Sequence, residues 1–156
     1  MSVIIKELTS LEARLKNIES NTLKKSLFDD IGNMTSNTIK DAFVDESSPF
    51  GDKWQELSNK TKEYKKKKGK SSKILRDSGN LYSKWEVRST ANSVTVSNNS
   101  QNNDFAYGLS HQYGSNKRNI PARPFLPVDK SGNLEKKLKS NIKKLIISRT
   151  TKELNR

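Results

Sequence analysis

Apolar residues recur at helical spacing in the first part of the chain. Side chains that fall every three or four residues would form one stripe of an amphipathic helix beginning near Ser2. They are Ile5, Leu8, Leu11, Leu15 and Ile18. The pattern therefore predicts a first helix with one apolar face.

A second, longer helix with a wide apolar face is predicted directly after the first. Its stripe is Leu23, Leu27, Ile31, Met34, Thr38 and Ala42, flanked by Phe28, Ile39 and Phe43. Gly32 inside this helix either marks the close approach of another backbone or is merely tolerated. We expect the two helices to pack as a hairpin or to extend around a neighbour, so that residues 1–46 form the helical part of the chain.

Turn chemistry replaces the helical pattern beyond Val44. Pro49 and Gly51 predict a sharp reversal, after which Trp54 and Leu57 fold back as anchors on a core. The next segment, 59–72, is rich in lysine and nearly devoid of apolar side chains, and self-repulsion predicts a mobile loop. Its lysine block is Lys65, Lys66, Lys67, Lys68 and Lys70.

Alternating apolar and polar positions appear in the middle of the chain. Trp85 and Val87, and then Val94 and Val96, alternate with polar residues across a short TANS turn. Residues 83–98 are therefore predicted to form a β-hairpin that is buried on one face.

The segment from Phe105 to Tyr113 fits a strand by alternation and a helix by spacing. We favour a short helix ended by Gly114, because glycine suits the left-handed residue that closes many helices. Pro121 and Pro124 then hold IPARPF extended, as an edge strand or as a clamp against another surface.

A C-terminal amphipathic helix with lysines on its polar face is predicted next. Its apolar positions are Leu134, Leu138, Ile142, Leu145 and Ile146. The tail, residues 150–156, is expected to fray. Together these elements predict an α+β fold, with an N-terminal helical hairpin, a small antiparallel sheet or hairpin and a C-terminal helix, in a single domain of residues 1–156.

Composition adds a small core and an uneven charge. Only 31% of the 156 residues are hydrophobic, which suggests that neighbouring subunits contribute to stability. The formal net charge of +13 comes mainly from residues 47–90 and 128–156. Such clusters indicate either polyanion binding or a solvated face that docks an acidic protein. No aromatic residues interleave with the lysine run as single-strand binders require, which favours the second interpretation.

Candidate catalytic and ligand-binding chemistry is sparse. The chain has no cysteine and a single histidine, and its neighbouring carboxylates diverge on a helix, so we predict no catalytic, cofactor or metal residues. His111 is interpreted as bonding a backbone group beside Gly114. The string GKSS at 69–72 has Tyr64 where a phosphate-binding loop needs glycine. The sequence shows neither a membrane span nor a signal peptide, so no membrane partner is expected.

Four motifs in fixed order carry a resemblance: SPFGDKWQELS at 48–58, KILRDSGNL at 73–81, HQYG at 111–114 and IPARPFLP at 120–127. Their order resembles the phage virion morphogenesis family, which includes the Mu-type G protein and related tail-completion proteins. The matching positions are Pro49, Gly51, Trp54, Leu57, Leu75, Ser78, Gly79, Leu81, His111, Gly114, Pro121, Ala122, Arg123, Pro124, Phe125 and Leu126.

The resemblance implies a non-enzymatic structural protein of the head–tail neck, which completes the tail or the joint by oligomeric assembly. The expected partners are copies of itself in a ring and other neck, connector or tail-terminator proteins, with non-specific contact to passing DNA. It would be assembled in the host cytoplasm and reside in the virion. The alternatives are a basic nucleic-acid-binding protein that uses the Lys65–Lys70 block, and a hydrolase.

The motif residues suit either internal packing or direct subunit contact. Arg123 lies between two prolines that fix its backbone. It is expected to pair with a carboxylate, either on an adjacent subunit or within its own fold.

Overall fold

Helices and short strands alternate along the chain, which confirms the predicted α+β class. The computed structural model describes residues 2–4, 21–103 and 105–154. Its helices are α1 (Asn21–Asp45), α2 (Asn59–Lys67), α3 (Asn80–Ser83), α4 (Tyr107–Tyr113) and α5 (Lys136–Leu154), and its strands are β1 (Ser2–Ile4), β2 (Glu86–Ser89) and β3 (Val94–Ser97).

The predicted hairpin is confirmed as strands β2 and β3. They pair antiparallel with Val87 opposite Val96, and Thr90 N–H donates to the Ser93 carbonyl at 2.9 Å across the turn. Val94 and Val96 are buried, whereas the residues between and after them are partly exposed. The alternation in the sequence therefore did predict which face of β3 is covered.

The first residues of the chain form a strand. The predicted first helix, at residues 5–20, lies outside the described residues, but the prediction that helix begins near Ser2 and fills residues 1–46 is wrong at this end. Strand β1 pairs antiparallel with β3, with Val3 opposite Val96, and completes a sheet of order β1-β3-β2. Val3 and Ile4 are β-branched, which suits a strand, and β1 occupies the edge of β3 that β2 leaves open.

The described residues belong to two compact units, each assembled from separate stretches of chain. One unit contains residues 39–85, 98–103 and 105–126, and the other contains residues 2–4, 21–38, 86–97 and 127–154. Helix α1 supplies residues to both units. The single-domain boundaries stay a prediction.

In the second unit, buried apolar side chains come from α1, β3, α5 and the turn that leads into α5. They are Leu27, Phe28, Ile31, Val94, Val96, Leu134, Leu138, Ile142 and Ile146. Polar contacts add to this core: Ser89 donates to the Asp29 carboxylate, and Arg149 Nη2 lies 2.6 Å from Asp30 Oδ2. Helix α1 is thereby tied to both β2 and α5.

Helix α5 confirms the predicted C-terminal helix but is longer than expected. It continues to Leu154, and the Thr150 hydroxyl donates to the Ile146 carbonyl at 2.8 Å. Residues 150–154 are therefore helical, residues 155–156 lie outside the described chain, and fraying of the tail stays a prediction.

The predicted lysine-rich loop is wrong for residues 59–67, which form helix α2. Ser58 caps this helix by accepting from Thr61 N–H at 3.3 Å, and lysine is a good helix former. Lys65 is buried and donates from Nζ to the Lys73 carbonyl at 2.6 Å. The charges diverge around the helix, which lowers the repulsion that predicted a loop. The mobility of the segment stays a prediction.

Gly32 marks a close approach, but of two valine side chains rather than of another backbone. A Cβ at this position would lie 2.3 Å from Val87 Cγ1 and 2.7 Å from Val94 Cγ2. Only hydrogen fits between α1 and the hairpin at this level, so the glycine lets the hairpin pack onto the helix.

We predict that Gly32→Ala destabilises the protein. Overpacking against two valines costs about 1 to 3 kcal/mol, which outweighs the gain of about 1 kcal/mol in helix propensity. Urea unfolding followed by circular dichroism measures the difference. Asn33→Ala, on the exposed side of the same helix, is the control and should be neutral or slightly stabilising. Adding Val87→Ala to Gly32→Ala should recover part of the loss; no recovery would contradict the clash.

Candidate functional site

An aromatic cluster brings distant motif segments together in the first unit. Phe43 stacks edge-on against Trp54 with ring centroids 5.4 Å apart, and its centroid lies 5.2 Å from that of Phe125 and 5.9 Å from that of Tyr82. Trp85 contacts the other side of Phe125 at 6.0 Å. Phe43 and Phe125 are fully buried. The predicted anchor Trp54 and the motif residue Phe125 therefore share one core with a helix residue that no motif contains.

Hydrogen bonds join the first motif to the last. Trp54 Nε1 donates to the Pro124 carbonyl at 2.7 Å. In return, Arg123 Nε donates to the Gln55 carbonyl at 2.9 Å and its Nη2 donates to the Glu56 carbonyl at 3.2 Å. The two segments are thus locked in register by side chains that reach across to backbone oxygens.

Arg123 is buried within its own unit, and its guanidinium bonds carbonyl oxygens. Within the described residues Arg123 forms no ion pair, so bonds to carbonyls replace the pairing expected within its own fold, and the pairing with a neighbouring subunit stays a prediction. Desolvation by burial lowers the pKa of Arg123. Carbonyl acceptors solvate the charge without neutralising it, which suits an arginine whose function is to hold a loop.

Gln112 satisfies the backbone of the proline-flanked segment. Its Oε1 accepts from Phe125 N–H at 2.9 Å and from Leu126 N–H at 3.1 Å, while Arg123 N–H donates to the His111 carbonyl at 2.6 Å. The segment is therefore not an edge strand, because α4 and its side chains replace a neighbouring strand. Sequence reasoning missed Gln112, although a buried segment without a strand partner needs such an acceptor.

Gly114 ends α4, as predicted. Its φ is 78°, and a Cβ there would lie 3.1 Å from Ala122 N and 3.3 Å from the Ile120 carbonyl oxygen. Its ψ of 168° is extended, so the residue turns the chain out of the helix rather than closing it in the left-handed conformation. Ser115 and Ile120 then pair as an isolated bridge. The glycine is required for both its φ and the close passage of the IPARP backbone.

His111 is half-buried on α4, and its ring contacts that of Tyr107 at 6.5 Å. Within the described residues its Nδ1 is buried without a hydrogen-bond partner, so this atom does not bond a backbone group beside Gly114 as expected. Burial, and then the charge of Arg123, lower the pKa of His111. The imidazole is therefore neutral at pH 7.

The KILRDSGNL motif forms an irregular segment that is held by its neighbours. Ile74 N–H donates to Glu46 Oε1 at 2.6 Å, and Leu81 is buried. Leu75 has a positive φ of 55° and Gly79 one of 80°, at the start of α3. Ser78 is exposed, and its Oγ accepts from Asn80 N–H at 3.4 Å.

A groove with a volume of about 690 Å³ lies where these motifs meet. Among its lining residues are Leu57, Leu75, His111, Pro121 and Arg123. The structure therefore brings one residue or more from each of the four motifs to one surface. Of the other predicted positions in this unit, Pro49 is half-buried at the first turn, and Gly51 and Ala122 are exposed.

The predicted polyanion-binding lysines divide into two groups. Lys65 is buried, and Lys70 is bonded to the Asp77 carboxylate, which raises the pKa of Lys70. Lys66, Lys67 and Lys68 remain exposed at the end of α2. Two of the five charges of the block are therefore already used inside the unit, and polyanion binding by the block stays a prediction that depends on Lys66, Lys67 and Lys68.

Helix α4 presents two large apolar side chains to solvent. Leu109 is 46% exposed and Tyr113 is 51% exposed, and their spacing of four residues places them on one face. The adjacent side of the helix is buried at Gly108 and Gln112. Burial of Gly108 and Gln112 thus fixes the rotation of α4, and with it the exposure of Leu109 and Tyr113 to solvent.

Two further observations concern the described part of the chain. It contains no group of three or more His, Cys, Asp or Glu side chains that could hold a metal ion. No helix there combines the length and the apolar character needed to cross a membrane.

The comparisons with known proteins give one family and one partial relative. The sequence model of the phage virion morphogenesis family matches residues 6–146. An uncharacterized protein of Methanocaldococcus jannaschii is 38% identical over 78 residues, which cover 47% of this chain and 54% of that protein. The chain thus spans about half the length of this relative. No solved structure matches the chain significantly.

We predict that Gln112→Ala destabilises the protein by about 2 to 5 kcal/mol, because two buried N–H groups lose their acceptor and each costs about 1 to 3 kcal/mol. Chemical denaturation measures the free energy of unfolding. Gln101→Ala, at an exposed position of the same unit, should change it little. Equal effects of the two substitutions would show that the double acceptor is not what stabilises the segment.

We also predict that stability falls as the pH drops below about 6.5, the usual pKa of an unfolded histidine. Because burial lowers the pKa of His111 in the folded chain, the unfolded state binds more protons in this range and is favoured. The stabilisation is fully present above this pH. His111 is the sole histidine of the sequence, so urea unfolding between pH 7.5 and 5.5 isolates it. His111→Gln should show a flatter profile, and an unchanged slope would contradict this origin.

Proposed function

Because the chain belongs to the phage virion morphogenesis family, we propose that it is a non-enzymatic structural protein of the head–tail neck. The family itself assigns a structural or assembly role in a phage particle. The finer proposal is that the protein completes the tail, or the joint between head and tail, by oligomeric assembly. Its partners would be copies of itself and other neck, connector or tail-terminator proteins, in the virion after assembly in the host cytoplasm.

The use of the motif residues supports a structural role. Trp54, Arg123 and Phe125 are buried, and the polar atoms of the first two bond backbone carbonyls of the same unit. In an enzyme we would expect some of the defining polar groups to face a substrate. Here the polar atoms of Trp54 and Arg123 connect two loops instead. The segments 48–58 and 120–127 are thereby joined into one rigid structure, which we call the platform.

The observation that carries the proposal is the exposed apolar pair on α4. Leu109 and Tyr113 flank His111 in the sequence, and the same short helix supplies the Gln112 acceptor that fixes the platform. Neighbouring apolar side chains on a locked helix are typical of a protein–protein contact. We infer that this α4 pair contacts another subunit or another neck protein.

The composition agrees with assembly. With 31% hydrophobic residues the isolated chain can bury only a modest core, and a subunit contact would add to it. A ring of identical subunits uses a heterologous contact, in which different patches of two copies meet and rotation closes the assembly.

We predict that the double substitution Leu109→Ser with Tyr113→Ser leaves the melting temperature of the purified protein nearly unchanged but prevents the completion of particles. The reason is that both side chains are already solvated in the free subunit, whereas a contact would bury them. A phage or prophage that lacks its own copy of the gene is complemented with each variant. Tailed particles are then counted by electron microscopy and infectious ones by plating.

The matched control is Val44→Ser with Phe50→Ser, an apolar pair of the same unit that is 52% and 45% exposed. It should support normal assembly. If the α4 variant completes particles as well as the control does, the α4 contact is refuted. If deletion of the gene itself leaves tails complete, the proposed role in the neck is refuted as well.

A further inference from the structure

Helix α5 is fixed in one rotational setting by its inner face. Leu138, Ile142 and Ile146 on this face are buried. Arg149 on the same side forms an ion pair with Asp30 of α1, with Nη2 and Oδ2 2.6 Å apart. The helix cannot turn about its axis without exposing these apolar groups, so its outer face is permanently directed to solvent.

Four exposed lysines lie on that outer face. They are Lys136, Lys137, Lys143 and Lys144, and we call them the α5 lysine stripe. Within the described residues no carboxylate comes within ion-pair distance of any of them, whereas Lys25, Lys62 and Lys70 each pair with an acidic side chain. The stripe is therefore a concentration of positive charge that its own unit does not neutralise.

The acidic residue next to the stripe in sequence is already engaged. Glu135 accepts from Lys137 N–H at 2.7 Å and from Leu138 N–H at 2.8 Å. Its carboxylate thus caps the first turn of α5, where free N–H groups attract negative charge. This use of Glu135 leaves the lysine ammonium groups available to an external anion.

The spacing within the stripe identifies the form of that anion. Lys136 and Lys143, like Lys137 and Lys144, are seven residues apart, which is about 10.5 Å along a helix at a rise of about 1.5 Å per residue. Lys136 and Lys143 point in nearly the same direction, and so do Lys137 and Lys144, because seven residues make almost two full turns. Their separation is close to the width of about 12 Å of the DNA major groove, whose two edges carry the phosphates of opposite strands.

We propose that the α5 lysine stripe binds the phosphate backbone of duplex DNA, with Lys136 and Lys137 on one strand and Lys143 and Lys144 on the other, and without reading bases. A single strand is a poorer fit, since α5 contains no aromatic side chain on which bases could stack. The inference concerns only the chemistry of α5 and does not depend on the proposed function.

The test compares two variants of equal charge. The stripe variant has glutamine in place of the four lysines of the α5 lysine stripe. The α2 variant has glutamine in place of four lysines of the α2 region that are also exposed and without a described ion pair, namely Lys60, Lys66, Lys67 and Lys68. Glutamine keeps the helix propensity of lysine, so both variants should fold and can be compared by circular dichroism. Binding to a fluorescent 30-base-pair duplex of random sequence is measured from 50 to 250 mM NaCl.

We expect wild type to bind with an affinity that falls steeply with salt. Each phosphate contact contributes about 0.9 to the slope of log K against log salt concentration. The stripe variant should therefore have a slope shallower by about 3 to 4 and a strongly reduced affinity, while the α2 variant should stay near wild type. Equal losses in both variants would mean that net charge alone attracts DNA, and no binding by wild type at 50 mM NaCl would also overturn the proposal.

A second ligand and a third variant separate DNA from an acidic protein partner. Polyglutamate of the same charge should bind more weakly than the duplex, and Ile147→Gln should leave DNA binding unchanged, although Ile147 is exposed on the same face. Tighter binding of polyglutamate, or a loss of binding on Ile147→Gln, would assign the stripe to a protein instead. Because purified protein and DNA suffice, failure here leaves the particle-completion test unaffected.

Discussion

A buried backbone segment that cannot join a sheet constrains the structure of the first unit. Residues 121–126 hold two prolines, and Phe125 and Leu126 are buried, so their N–H groups need acceptors away from water. The single oxygen Gln112 Oε1 meets both needs. The position of α4 follows from this, and so does the placement of Phe125 against Phe43, because the ring can stay buried only where its own backbone is satisfied.

The same shortage of acceptor and donor partners in irregular segments explains why two cations of this unit, Arg123 and Lys65, are buried. Each donates to carbonyls of irregular segments, at Gln55 and Glu56 and at Lys73. Loops without regular secondary structure leave carbonyl groups unpaired, and long cationic side chains can reach them without a carboxylate. A high lysine and arginine content therefore does not translate directly into a surface for anions, and the charge must be located residue by residue.

In the second unit the decisive interaction is the contact of α1 with the hairpin at Gly32. The missing side chain admits Val87 and Val94, and Asp29 and Asp30 on the adjacent turn bond Ser89 and Arg149. Close packing and polar contacts thus act on the same stretch of α1. With α5 held in this way, its unpaired lysines face outward, which makes the proposed DNA contact a consequence of how the core is packed.

Periodicity in the sequence by itself determined the α+β class, the helix of α1, the β2–β3 hairpin, the end of α4 at Gly114 and the apolar face of α5, because these depend on local spacing and turn chemistry. The four motifs also determined the family. Only the tertiary structure decided that Ser2–Ile4 form a strand, since its partner β3 lies more than 90 residues away in sequence. It also decided that Lys65 is buried, that Arg123 bonds carbonyls, and that Gln112 is the shared acceptor. Each of these depends on which unpaired backbone groups the fold brings near a side chain, and local sequence patterns carry no information about that.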